Sequence, residues 1–392
     1  MTTDNDFIDK KKYGFIICNN DPYDGLKRPR HILSEYLGSS GYKVLFQSPP
    51  VIRLNQRKNK STLKYGGLKM VSKNVFWHQP LTVLPFVHRP IIGEFLTIFR
   101  AIITLAIAKV LIGKNRIYFV TTPHADNLKL VNIDRKSIVF YNIHDRYTDV
   151  NGVWPKSHFM LGKRADALLV TSEYLMREIS STFPDKPIYM FPAGIDLRKF
   201  EDQTSIVETL PPSVGRVTVG CVGNLGSQID WGLMLELSNN PNLNFIFVGP
   251  VNEDLNSCEN FRQIKSRSNV KFIGSVEHEQ VPNYIKTFDI CAIPFVKNEF
   301  TNGVNPLKLL EYLALGKIVI STRIPYTEYF SEIIEIGDTP AEWLKLINSS
   351  LSANSPTKIA ARKNYVSKSG YAERVKLLVE LTDSIRNKKT SI

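Results

Sequence analysis

Long apolar runs are missing from this chain of 392 residues. Its most apolar stretch, 90–113, is interrupted by Glu94, Arg100 and Lys109. The longest uncharged run inside it, 101–108, is far shorter than the about 20 residues that a helix needs to span a bilayer. We therefore expect either a buried core helix here or an amphipathic helix that lies on a surface.

Cysteine is scarce, and the motifs of several enzyme classes are absent. The four cysteines share no CxxC spacing, and three of them lie in strand-like apolar runs, as small buried thiols do. The chain has no GxxxxGK[ST] loop and no GxSxG elbow, and His278-Glu279 lacks the second histidine of HExxH. No apolar segment precedes the lysines at 10–12, so we expect no secretory signal. The cysteine spacing indicates a reduced, cytoplasmic protein. Because no Cys/His cluster is present, we expect no metal centre.

Positive charge is confined to one half of the chain. Residues 1–200 hold 30 Lys+Arg and 16 Asp+Glu, a net charge of +14, whereas residues 201–392 hold 20 and 21, a net charge of −1. The excess is clustered at 10–12, 27–30 and 53–73. An anionic membrane surface, a phosphorylated substrate and a merely solvated basic face all remain open. No nucleic-acid-binding motif accompanies the charge, so we expect no nucleic-acid partner.

Short apolar runs alternate with helical patterns along both halves. Strands covered on both faces read this way, so the pattern predicts parallel sheets with crossover helices. The polar stretch 197–215, which contains Pro211-Pro212, suits an interdomain linker. The predicted domains are 1–200 and 201–364, with a helix over 365–392 packing back on the first domain. The predicted strands are 13–18, 43–47, 116–120, 137–143, 167–171 and 187–191, then 216–221, 244–248, 270–273, 290–293 and 317–321.

The most informative segment is 305–321, with the sequence NPLKLLEYLALGKIVIS. Its proline near the start and its glycine near the end predict a helix that opens at Asn305-Pro306 and leads into a strand. Lys308 and Glu311, three residues apart, lie on one face of that helix. Amides at its start and Lys308 suit a diphosphate, and Glu311 can accept hydrogen bonds from a ribose diol.

This segment resembles the donor-binding helix of GT-B glycosyltransferases, in particular retaining family 4 and related bacterial enzymes of O-antigen, capsule and teichuronic-acid type. Other family-like segments follow in the same order, from about residue 14 to 330. They include GCVGNL at 220–225, FVGP at 247–250 and NVKFIG at 269–274, together with ADALLVTS at 165–172 and FPAGID at 191–196. The resemblance implies an α/β fold of two tandem Rossmann-like, doubly wound domains with the active site in the cleft between them.

The family pattern also implies residue roles. His144 and Asp145, at the end of a strand, correspond to catalytic positions that contact the donor sugar. The implied donor and nucleotide-binding residues are Gly223, Asn224, Gly249, Phe272, Gly274, Thr301, Asn302, Asn305, Lys308 and Glu311. The acidic residue that the family places eight positions before Glu311 is replaced by Gly303, so contact with the sugar hydroxyls falls to Thr301, Asn302 or a backbone amide.

The implied activity is transfer of a hexose from a nucleotide-diphosphate sugar, with retention and without a metal or other cofactor. The expected acceptor is a glycan, lipid-linked or polysaccharide, at the inner face of the plasma membrane, where the basic half would meet anionic lipid. Two alternatives stay open. One is a GT-B sugar-nucleotide epimerase, and the other is a catalytically silent, membrane-associated assembly protein.

Overall fold

The computed structural model describes residues 13–24, 27–52, 67–82, 90–144, 146, 153–200 and 215–390. The chain forms two compact units, Met1–Gly194 with Tyr371–Ile392, and Ile195–Gly370. The domains predicted from sequence end at residues 200 and 364 instead. The Ile195 N–H donates to the Ser369 carbonyl at 3.0 Å, so the chain enters and leaves the second unit along adjacent segments.

The strands and helices are numbered in chain order. The strands are β1 (Gly14–Cys18), β2 (Val44–Gln47), β3 (Val51–Ile52), β4 (Gly67–Ser72), β5 (Val75–Gln79), β6 (Leu81–Thr82), β7 (Arg116–Val120), β8 (Ile138–Ile143), β9 (Ala167–Val170), β10 (Ile188–Met190), β11 (Val217–Val222), β12 (Leu243–Val248), β13 (Val270–Gly274), β14 (Ile290–Ile293), β15 (Ile318–Ser321) and β16 (Glu335–Ile336). The helices are α1 (Pro29–Ser39), α2 (Pro90–Leu111), α3 (Ala125–Ile133), α4 (Lys156–Arg164), α5 (Glu173–Thr182), α6 (Trp231–Leu237), α7 (Glu259–Lys265), α8 (Val281–Lys286), α9 (Glu299–Asn302), α10 (Lys308–Ala314), α11 (Pro325–Glu328), α12 (Pro340–Ser352), α13 (Pro356–Ser367) and α14 (Tyr371–Thr390).

The first unit is built on an eight-stranded sheet in the order β10-β9-β8-β7-β1-β2-β5-β4. Its neighbours pair in parallel, except that β4 runs antiparallel to β5 at the edge. Helices α1 and α14 cover one face of the sheet, and α2 to α5 cover the other. Six strands predicted from sequence are present. The β4–β5 hairpin was missed because β4 is largely exposed and so lacks a continuous apolar run.

The second unit has six parallel strands in the order β13-β12-β11-β14-β15-β16. This is the order of a doubly wound sheet, whose direction of winding reverses between β11 and β14. Loops that follow the strands on either side of such a reversal are where ligands bind in sheets of this type. The predicted strands are present, and only β16, with two residues, was too short to leave a pattern.

Helix α2 settles the interpretation of the apolar stretch 90–113. Leu96, Ala101, Leu105 and Ala108 are buried, whereas Phe95 and its outward-facing neighbours are exposed. One face therefore belongs to the core and the other lies at the surface. No helix in the described part of the chain is long and apolar enough to cross a membrane.

The predicted C-terminal helix begins at Tyr371, not at residue 365, and belongs to the first unit. It packs on α1, where the Tyr36 and Tyr371 ring centroids are 5.5 Å apart. Near its other end, Lys389 Nζ lies 2.7 Å from a carboxylate oxygen of Asp166. The helix before it, α13, belongs to the second unit. The predicted linker falls mostly on residues 201–214, which lie outside the described residues.

Candidate functional site

Three glycines predicted as donor-binding residues meet at the carboxyl edge of the second sheet. Gly223 follows β11, Gly249 follows β12, and Gly274 ends β13. The Gly223 N–H donates to the Val248 carbonyl at 2.9 Å, and the Gly249 N–H donates to the Gly274 carbonyl at 2.8 Å. Gly249 has φ +137°, and a Cβ there would overlap the carbonyl oxygen of Gly223. Only glycine allows the backbones to approach so closely.

The Lys308 ammonium lies over this edge. A Cβ on Gly223 would come within 3.3 Å of Lys308 Nζ, and the same nitrogen is 3.8 Å from Cys221 Sγ and 5.2 Å from the centroid of the Phe295 ring. Within the described residues, no carboxylate forms an ion pair with Lys308. An unneutralised ammonium beside exposed backbone is suited to hold an anion such as a phosphate.

Glu311 lies one turn further along α10, and its carboxyl group is partly buried. Burial raises its pKa above the ordinary value, while His278, Lys308 and Lys199 act in the opposite direction. A carboxyl group set among these basic side chains can accept hydrogen bonds from ligand hydroxyls. Its position one turn from Lys308 agrees with the spacing that the sequence predicted.

The start of α10 differs from the prediction. The helix was expected to open at Asn305-Pro306, but these two residues lie outside any helix, Leu307 lies in a turn, and the seven-residue helix begins at Lys308. Asn305 therefore precedes the helix.

Tyr312 holds α10 against the sheet. Its side chain is fully buried, and its hydroxyl oxygen accepts a hydrogen bond from the Val222 N–H at 2.9 Å. Val222 immediately precedes Gly223, so this bond sets the helix relative to the glycine loop. Tyr312 thereby positions both Lys308 and Glu311.

The other predicted residues of the second unit have different surroundings. Asn224 is exposed, and its carbonyl accepts from Gln228 Nε2 at 2.7 Å. Thr301 is buried; its hydroxyl donates to the Val296 carbonyl and its N–H to the Asn298 side chain, which caps α9. Thr301 thus shapes its own loop, while Asn302, the last residue of α9, is partly exposed.

Phe272 belongs to an aromatic group in the core. Its ring stacks on Phe247 with the centroids 4.9 Å apart, and it meets the rings of Phe261 and Trp231 at 5.4 and 6.1 Å. These contacts give Phe272 a packing role under the β12–β13 edge. A role in donor binding stays a prediction.

In the first unit, His144 follows β8 and contacts Arg30 of α1. Arg30 Nη1 lies 3.3 Å from His144 Nε2, and the Arg30 guanidinium, only 9% exposed, is paired with Asp21 in the loop after β1. Burial, then the charges of Arg30 and Arg28, lower the pKa of His144 to about 3, against the opposing effect of a hydrogen bond with the Asn142 backbone. The imidazole is therefore neutral near pH 7. Its geometry favours hydrogen bonding over proton transfer.

Two predictions fall elsewhere. Asp145, predicted as catalytic with His144, lies outside the described residues. Among the residues that the structure describes, no group of three or more His, Cys, Asp or Glu side chains could hold a metal ion.

Comparison with known proteins finds a family model that matches part of the second unit. Residues 216–352 match the family model described as glycosyl transferases group 1. Over 201 residues the chain is 26% identical to TuaH of Bacillus subtilis (strain 168), which is provisionally named a teichuronic acid biosynthesis glycosyltransferase. That match covers 49% of this chain and 50% of TuaH. The chain thus spans about half the length of the curated relative that it matches.

Solved structures resemble almost the whole chain. Sucrose-phosphate synthase from Thermosynechococcus elongatus has a TM-score of 0.69 at 12% identity, covering 96% of this chain and 99% of its own. The E. coli trehalose-6-phosphate protein bound with UDP-2-fluoro glucose has 0.67 at 10%, covering 94% and 98%. Anabaena Alr3699/HepE in complex with UDP has 0.65 at 14%, covering 94% and 99%.

The chain has the GT-B fold. Five residues of the arrangements described in the two separate units escaped the sequence interpretation or were noticed for another reason. Tyr312 stood inside the quoted motif, and its place three residues from Leu309 on the buried side of α10 was the available signal. Lys199, His278 and Asp21 carried no local signal, because what brings them to their partners is the fold. Arg30 was noticed only as one member of a basic cluster.

Proposed function

We propose that this GT-B protein transfers a hexose from a nucleotide-diphosphate sugar to a glycan acceptor in the synthesis of a bacterial surface polysaccharide, with retention and without a metal ion. The observation that carries the proposal is the arrangement of Lys308 over the Gly223 loop, with Glu311 one turn away, inside the segment that matches group 1 glycosyl transferases. Solved GT-B neighbours bound to UDP or UDP-glucose support a nucleotide-sugar donor.

The chemistry follows from where charge develops. As the bond from the anomeric carbon to the diphosphate breaks, negative charge grows on the departing phosphate oxygens. The fixed Lys308 ammonium would stabilise that charge more than it stabilises the bound donor, and this difference would accelerate the reaction. Glu311 would hold the ribose hydroxyls, and neutral His144 would hydrogen-bond the sugar.

The acceptor that we propose is linked to a lipid carrier at the inner face of the cytoplasmic membrane. The net charge of +14 over residues 1–200 supports an anionic partner for the first unit. Similarity to a protein named for teichuronic acid biosynthesis supports a surface polymer as the product. An epimerase would need the same nucleotide site but no such acceptor.

Nucleotide binding and transfer test this proposal separately. Thermal unfolding in the presence of uridine, guanosine and deoxythymidine diphosphates should reveal one nucleotide that raises Tm, since a ligand that binds only the native state stabilises it. Incubation of the matching nucleotide sugar with membrane lipid extract should then yield a glycosylated lipid. Stabilisation by none of the three nucleotides would contradict the donor site, whereas conversion of the sugar nucleotide alone would favour an epimerase.

A further inference from the structure

Helix α2 exposes an apolar stripe that the core does not use. Phe95, Phe99, Ile102 and Val110 recur at helical spacing on its outer side, and their exposed fractions run from 52% to 84%. Ile103 lies beside them and is also exposed. A surface helix of a soluble domain ordinarily turns polar residues outward, so this stripe calls for a partner.

The apolar surface continues onto the neighbouring helices. Helix α2 packs against α3, and α3 packs against α4, on the same face of the first sheet. Of the fifteen large apolar side chains that are exposed among the described residues, nine lie on α2, on α3 or in the segment 153–164. Ile133, Phe159 and Met160 extend the stripe across α3 and α4. We call this surface, formed by α2, α3 and α4, the apolar-basic face.

Cations frame the apolar side chains on this face. Between residues 90 and 164, the exposed charged side chains of the described residues include one carboxylate, Glu94, whose Oε1 lies 3.0 Å from Lys129 Nζ. The exposed cations over the same range are Lys109 on α2, Lys156 and Lys163 on α4, and Lys114, Arg135 and Lys136 in the loops that follow α2 and α3. The face therefore combines outward aromatic and aliphatic groups with an excess of positive charge.

We propose that the apolar-basic face docks on an anionic lipid bilayer, with α2 lying in the plane of the interface. Side chains such as Phe95 and Phe99 would enter the boundary between headgroups and acyl chains, while the surrounding lysines meet anionic headgroups. A second copy of this chain fits less well, because a symmetric contact would bring the same six cations against their own kind. Lipid supplies both the apolar phase and the opposite charge.

This inference deepens the proposed function, since a lipid-linked acceptor lies at such a surface. It names a docking face made of α2, α3 and α4, apart from the basic run 53–73, most of which lies outside the described residues. Vesicle binding needs neither donor nor acceptor. Docking and transfer can therefore fail independently.

Co-sedimentation with vesicles tests the face directly. The whole protein should bind phosphatidylcholine vesicles that contain phosphatidylglycerol and should bind pure phosphatidylcholine vesicles weakly. Raising the salt concentration should release it, because the Debye length falls to ~10 Å at 0.1 M and screens the attraction between lysines and headgroups. The double variant Phe95→Ser/Phe99→Ser should bind ~10-fold or more weakly, because each change removes a large apolar group from the lipid. Its thermal unfolding should match that of the wild type, since both side chains are exposed.

Matched variants distinguish binding through the apolar-basic face from nonspecific binding through any exposed apolar side chain. Phe300→Ser removes a phenylalanine that is 69% exposed in the second unit, compared with 67% for Phe95, and it should leave vesicle binding unchanged. Lys109→Gln/Lys136→Gln should weaken binding, whereas Lys109→Arg/Lys136→Arg should retain it. Equal binding to neutral vesicles, or undiminished binding by the Phe95/Phe99 variant, would overturn the proposal. The proposal would also be overturned if the protein did not bind vesicles at low salt and if light scattering showed a dimer that the Phe95→Ser/Phe99→Ser variant dissociates.

Discussion

The carboxyl edges of the two sheets are built from opposite materials. In the second unit the edge consists of glycine backbone under Lys308. In the first unit it carries the buried Arg30 side chain with the half-buried side chains of Asp21 and His144. Backbone without side chains lets a ligand approach the sheet edge beside the lysine closely, which suits a diphosphate. In the first unit, the ion pair between Asp21 and Arg30 fixes the Arg30 side chain, and Arg30 in turn orients the neutral His144 imidazole.

Among the substitutions, the largest expected effect is on stability, at Gly249 in the glycine edge. In Gly249→Ala the new Cβ would overlap the Gly223 carbonyl and stand at φ +137°. We expect a loss of about 3 kcal/mol or more in the free energy of unfolding, measured by urea denaturation, from overlap and backbone strain together. Gly274→Ala is the matched control: its φ is also positive, at +82°, but the space is open. It should cost only about 1 kcal/mol. Equal losses would show that overlap is not the cause.

Acid should destabilise the first unit more than the second. Burial lowers the pKa of His78 and His158 to about 4, and that of His144 to about 3, from an ordinary 6.5; all three lie in the first unit. Below pH 6.5 the unfolded chain takes up protons that the folded unit does not, so stability falls as the pH drops from 6.5 toward 4. The raised pKa of Glu311 in the second unit acts oppositely, because the folded state binds that proton more readily.

Hydrogen exchange measures this difference peptide by peptide. At about pH 5, each of these histidines should lower the protection of core strands in the first unit by about 2 kcal/mol relative to neutral pH, after correction for intrinsic exchange. Core strands of the second unit should keep more of their protection. Equal losses in both units would contradict the assignment of acid sensitivity to these histidines.

Lys308 and Glu311 test what the glycine edge holds. We expect Lys308→Ala and Glu311→Ala each to raise the Kd for the preferred nucleoside diphosphate ~10-fold, because each removes a charged hydrogen-bonding group. Isothermal titration calorimetry measures the change. Lys345→Ala, on an exposed side of α12, should leave Kd unchanged. If both site variants bind as tightly as wild type, the nucleotide lies elsewhere.

The smallest effect concerns the first edge. Burial lowers the pKa of His144 most, and the charge of Arg30, whose Nη1 lies 3.3 Å from His144 Nε2, lowers it further. Arg30→Ala should therefore raise the pKa of His144 and move the acid limb of the turnover profile to higher pH. Turnover itself should fall, by roughly 5-fold, with the donor KM nearly unchanged, and His144→Ala should behave alike. Arg30→Lys keeps a cation and should restore the profile in part. If none of these variants changes the pH profile of turnover, His144 has only a packing role.

Local pattern determined most of the fold. Eleven of the sixteen strands in the described residues were predicted, because parallel strands covered by helices are continuously apolar. The β4–β5 hairpin was missed because its edge strand is exposed, and β3, β6 and β16 were missed because two residues leave no such run. The resemblance to GT-B glycosyltransferases, and not local pattern, pointed to Gly223, Gly249 and Gly274. Local spacing did predict that Lys308 and Glu311 lie one turn apart.

Tertiary structure decided what these residues meet. Arg30 reaches His144 across 114 positions of sequence, and Lys199 and His278 surround Glu311 from separate segments, so no local pattern could contain either arrangement. The Tyr312 bond to Val222 of β11, which fixes α10 against the sheet, likewise joins residues 90 positions apart. Sequence alone could state that 90–113 is apolar and broken by charge; only packing against the sheet decided which side of α2 is buried, and therefore that Phe95 and Phe99 face outward.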